Sequence, residues 1–135
     1  MYERVQQEIE LLKLKYPELQ HGDQLNWVLI PKYPLPDLYN KSQTQLLWNV
    51  PPGYPQTAPD DFFVDGDLRL KNGNPPASFN QGANSSSGPA PIAGNWGWVS
   101  WHPEQGKWQP AAEIEKGDNL LTFLRSVNIY LRGEE

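Results

Sequence analysis

Along the first sixteen residues, Val5, Ile9, Leu12 and Tyr16 are spaced at i, i+4, i+7 and i+11, with Glu and Lys between them. One apolar stripe at that spacing predicts a helix over 2–16, ended by Pro17. The pattern then changes. Leu25 to Ile30 is a β-rich run for which Pro31 predicts the end, and Lys32-Tyr33-Pro34-Leu35-Pro36 is unsuited to a central strand. Thr44 to Val50 alternates Gln45, Leu47 and Asn49 against Leu46, Trp48 and Val50, predicting a second strand after a turn at Asn40-Lys41-Ser42. Pro51 to Pro59 reads as a bend, and Phe62-Phe63-Val64 with Leu68-Arg69-Leu70 as a third, interrupted strand. The helical period returns at Leu120, Leu121, Phe123, Leu124, Val127, Tyr130 and Leu131, with Asp118 the expected N-cap and Gly133 the expected stop. A helix, an antiparallel meander of about three to four strands and a second helix make an α+β layout.

Residues 71–95 break the pattern. Asn, Gly, Ser, Pro and Ala dominate, and only Phe79 and Ile92 are large and apolar. Such a segment is expected to be a flexible insert or a flap within a single domain spanning 1–135.

Composition narrows the chemistry. The 135 residues are enough for a core without staples, and the absence of cysteine excludes disulfides and thioester chemistry on this chain. A net charge of −5 with no Lys/Arg run argues against nucleic acid. No apolar stretch approaches the roughly 20 residues that span a bilayer. The N-terminus has no apolar signal core, so a soluble cytoplasmic protein is expected.

Gly94 to Ala112 holds four of the six tryptophans and His102. Read as an extended strand, it places Ser100 and His102 on one face with Trp96 and Trp98, just before Pro103 stops pairing. His102 is the natural base for a Ser100 hydroxyl, with Asp65, Asp67 and Glu104 conceivable as its orienting partner. The same pattern also reads as core tryptophans around an ordinary strand hydroxyl. A hydrolase would need a Gly-x-Ser-x-Gly elbow, whereas Ser100 sits in Val-Ser-Trp. His21 and His102 have no ligand spacing around them, so neither a metal nor another cofactor is expected. A carbohydrate-binding module would explain tryptophans but would call for a secretion signal.

Two spaced motifs bear a resemblance. Ser100 stands eight residues before Trp108-Gln109-Pro110-Ala111, and upstream lie Pro51-Pro52-Gly53-Tyr54-Pro55, then Ala58-Pro59 and Phe62-Phe63-Val64. In ubiquitin-conjugating enzymes a catalytic cysteine precedes Trp-x-Pro-Ala by the same interval, after a Pro-x-x-Tyr-Pro bend. From about Val5 to Arg132 the chain resembles that superfamily, and most nearly its prokaryotic family E branch. The resemblance implies a conjugating-enzyme-like fold and a place in a bacterial ubiquitin-like operon, with antiphage defence as a setting. Ser100, in the cysteine's place, would accept a ubiquitin-like protein as an oxyester and pass it to a target. Alternatively the domain is inactive and only binds. Implied partners are a ubiquitin-like protein, an adenylating activating enzyme and a JAB-type deconjugating peptidase. Tyr54, Trp98, Trp101, Trp108 and Pro110 are the implied binding positions. The family's His-Pro-Asn is absent, which leaves Asn95 as the candidate oxyanion amide. The first helix is where the activating enzyme commonly docks, and Arg4, Lys13 and Lys15 lie off its apolar stripe, on a face expected to be free.

Overall fold

The computed structural model describes residues 2–101 and 107–133. Helix α1 (Tyr2–Lys15) opens the chain, followed by strands β1 (Gln20–His21), β2 (Trp27–Pro34), β3 (Gln43–Asn49) and β4 (Phe62–Asp65). Then come β5 (Phe79–Gln81), β6 (Asn84–Ser85), β7 (Gly88–Pro89), β8 (Trp96–Val99), a 3-10 turn at Ile114–Lys116 and helix α2 (Leu120–Leu131). The architecture is α+β: the helices at the two ends of the chain share one face of an antiparallel sheet ordered β1-β2-β3-β4-β8-β5.

Side-chain alternation gives the sheet two apolar faces. On the inner face Val28, Ile30, Leu46, Trp48, Phe62, Val64 and Val99 join one core with Val5, Ile9 and Leu12 of α1 and Leu120, Phe123 and Val127 of α2. The outer face is smaller: Leu29, Leu47, Phe63 and Trp96 are buried there, and Ala90 and Ile92 pack against them. The Trp96 indole nitrogen donates to the Ile92 carbonyl at 3.0 Å. Segment 71–95 thus contributes β5 to the sheet edge and the β6–β7 hairpin, and its last residues lie on the outer face.

Three local expectations are corrected. Pro31 does not end β2, which continues to Pro34 through an irregularity between Ile30 and Tyr33. Beyond Leu29 the strand is paired on one side only, so the missing proline N–H groups break no ladder bond. The N-cap of α2 is Asn119, not Asp118: the Asn119 side chain accepts from the Thr122 amide at 3.0 Å, and the Thr122 hydroxyl accepts from the Asn119 amide at 2.9 Å. Leu25 lies outside the strand, in a turn with φ at 55°. The expected stop at Gly133 is present, with φ at 74° and its amide donating to the Tyr130 carbonyl at 2.9 Å.

Candidate functional site

β8 ends at Val99, which is paired with Phe62 of β4 on one side and Phe79 of β5 on the other. Ser100 follows as an exposed residue beyond the strand, its amide donating to the Ser78 carbonyl at 2.9 Å. Among the described residues no carboxylate or imidazole bonds its hydroxyl. Trp96 and Trp98 point to the outer face as their register requires. Trp101 turns the other way, edge-on to Phe62 at 6.3 Å and Phe123 at 5.7 Å, so the chain is anchored in the core one residue after Ser100. His102 lies outside the described residues, as does Glu104.

Asn95 and Ser100 are not brought together. Asn95 precedes β8 at its far end, where its carbonyl accepts from the Gly66 amide at 2.8 Å. Five extended residues separate the two by roughly 16 Å. Asp65 and Asp67 are occupied at the same far end by Lys41, whose ammonium lies 3.0 and 2.7 Å from their carboxylates.

The two motifs, by contrast, meet. The Trp108 indole nitrogen donates to the Pro55 carbonyl at 2.7 Å, and the Trp108 ring tilts against Tyr54 at 6.2 Å. Tyr54 is fully buried and its hydroxyl donates to Glu8. Burial, followed by the hydrogen bond to Glu8, pushes the Tyr54 phenol well above its ordinary value. Glu8, 0% exposed, also accepts from the Leu120 amide at 2.6 Å and from the Arg4 guanidinium at 2.7 Å. Arg4 reaches on to the carbonyls of Ala111 and Asp118. It is therefore committed to the fold rather than free on the α1 surface. Pro110 is half-buried in the segment that Arg4 holds.

Asp61 was not legible as a site residue. It sits one step before the Phe62–Val99 pair, opposite Ser100, and its amide donates to the Trp101 carbonyl at 2.6 Å. Its carboxylate accepts from the Ser87 amide at 3.0 Å and the Ser87 hydroxyl at 2.8 Å. Burial raises its pKa above the usual carboxylate value, while the bonds from Ser87 and Ser85 pull it down.

A cleft of about 660 Å³ lies elsewhere, walled by Leu12, Tyr16, Ile30 and Leu124, with Lys15 and Arg125 at its rim. Among the described residues, no three His, Cys, Asp or Glu side chains gather as a metal site would require, and no helix is long and apolar enough to cross a membrane.

Residues 2–134 match the family model described as Prokaryotic E2 family E. Comparison with curated proteins and with solved structures returned no match.

Proposed function

Because the chain belongs to prokaryotic E2 family E, we propose that it is a ubiquitin-like protein transferase of a bacterial, cytoplasmic modification pathway with Ser100 as its acyl acceptor. The Ser100 oxygen attacks the activated C-terminal carbonyl, an ester bond forms, the bond to the activating enzyme's leaving group breaks, and His102 takes the hydroxyl proton. Attack by a target amine or hydroxyl then breaks the ester, His102 returns its proton to the departing Ser100 oxygen, and the proton that the nucleophile loses passes to His102 in turn. The family implies a ubiquitin-like protein and an adenylating activating enzyme as partners in general, and a JAB-type peptidase for removal belongs to the same proposal.

The observation that carries this reading is the bond from Trp108 to the Pro55 carbonyl. It joins the two motifs in space, and Ser100 stands exposed at the end of the intervening strand. Incubation with the activating enzyme, ATP and the ubiquitin-like protein should give an adduct that withstands thiols and is cleaved by hydroxylamine. A second reading is an inactive module that only binds the ubiquitin-like protein, and a serine hydroxyl in the cysteine's place, a poorer nucleophile than a thiolate, speaks for it. Stable binding without an adduct would select it.

A further inference from the structure

Ser100 is flanked on both sides by backbone in a conformation that L-residues rarely adopt. Three non-glycine described residues have positive φ, and two of them, Asp61 at 54° and Ser78 at 63°, border Ser100 across β4 and β5. Such conformations are costly and persist where surrounding contacts fix them. The contacts at Ser78 are visible: its carbonyl takes the Ser100 amide. At Asp61 the amide is fixed by the Trp101 carbonyl at 2.6 Å, and the carboxylate by a distant segment. The turn of the β6–β7 hairpin brings Ser87 onto the Asp61 carboxylate through two hydrogen bonds, and Ser85 braces that turn, accepting from the Ser87 amide at 3.2 Å and donating to the Gly88 carbonyl at 2.9 Å. Asp61 is 2% exposed, whereas Ser87 is exposed. A buried carboxylate without compensating donors would be costly, so the hairpin tip is held where Asp61 requires it.

We propose that Asp61 is a positioning residue for Ser100, seating the 83–90 hairpin through Ser87 as one wall of the space that an incoming acyl tail must enter. The inference rests on the reading of Ser100 as acceptor, and it assigns a task to a polar, exposed hairpin that the sheet does not need for pairing. Asp61 itself need not touch the reacting atoms, since it acts through Ser87.

The absence of cysteine from the chain makes the test clean. Ser100→Cys installs a single thiol whose alkylation by iodoacetamide can be followed over about pH 6–10. Adding Ser87→Ala should release the hairpin, raise the limiting alkylation rate about fivefold or more, and speed amide exchange over 83–90. Asp61→Asn should do the same and in addition lower the apparent pKa of the thiol, because a neighbouring negative charge is removed. Ser87→Thr should restore the parent rate. Faster exchange over 83–90 with an unchanged alkylation rate would overturn the proposal, because the hairpin would then be held without bordering Ser100. Unchanged exchange in both variants would overturn the seat itself. None of these readouts uses the activating enzyme, so a parent protein that forms no adduct would count against the acceptor reading alone.

Discussion

One hydrogen bond, from the Trp108 indole nitrogen to the Pro55 carbonyl at 2.7 Å, ties the segment after the candidate site to the bend before β4. Tyr54, one residue before Pro55, packs on the same indole and donates to Glu8, so the bend, the Trp108 segment and α1 meet at one buried carboxylate. Three donors converge on Glu8, from Tyr54, Leu120 and Arg4. Removing either member of the Arg4–Glu8 pair leaves the other polar group uncompensated.

Arg4→Glu and Glu8→Ala should each destabilise the protein by about 3–5 kcal/mol, the loss expected when one partner of a buried pair is removed. Lys13→Glu and Lys15→Glu, on exposed or half-exposed α1 positions, should stay within about 0.5 kcal/mol. Urea denaturation of the four variants checks this. If an activating enzyme docks on α1, only the two lysines are informative for mapping it, because Arg4 is held by the fold.

Gly97 of β8 pairs with Gln81 of β5, and a methyl group added there would come within 2.3 Å of the Phe79 ring. That ring is also stacked by the Arg69 guanidinium at 4.9 Å, a contact it would lose by moving aside. Gly97→Ala should cost about 1–3 kcal/mol and detach the sheet edge. Amide exchange at Asn80 and Gln81 should rise while the β2–β3 amides stay protected.

The hydrophobic period carried the two helices and β3, because each has an apolar face recurring at a fixed interval, whereas β4 showed as a short unbroken apolar run. It carried less at Pro31, where one-sided pairing tolerates residues that a central strand would reject. Two-residue β1 and three-residue β5 are too short to show a period. Glu8 sits among charged neighbours in an amphipathic helix and reads as solvent-facing; only its partners, 46 and 112 residues away in sequence, make it a core residue. Asp61 escapes for the same reason, as one of two adjacent acids after a proline whose partner, Ser87, lies in a low-complexity stretch. The Trp-x-Pro-Ala and Pro-x-x-Tyr-Pro motifs were legible because the spacing of rare residue types survives without any knowledge of contacts. Asn95 illustrates the limit of that method: proximity in sequence along an extended strand is distance in space.

Alkaline pH should unfold the protein. Burial is the largest cause raising the phenols of Tyr16, Tyr33, Tyr39 and Tyr54 above their ordinary value of about 10. Each keeps its proton in the fold where the unfolded chain would release it. Their contribution is therefore complete below about pH 10 and is lost as pH rises above it. The urea midpoint should fall between about pH 9.5 and 11.5, with the absorbance of these four tyrosinates appearing together with unfolding rather than before it.

His102→Ala should slow adduct formation by about 10²–10⁴-fold if it is the base for Ser100. A rate equal to the parent's at every pH would remove it from the proposed mechanism.

The measurement that most directly tests the account is intact-mass analysis of the reaction with activating enzyme, ATP and ubiquitin-like protein, run in parallel on the parent, Ser100→Ala and Ser100→Cys. Ser100 is exposed, so the alanine variant should fold with a stability change within about 0.5 kcal/mol. The account predicts an adduct on the parent that thiols leave intact, none on Ser100→Ala, and a thiol-sensitive adduct on Ser100→Cys. An adduct that persists on Ser100→Ala would contradict it.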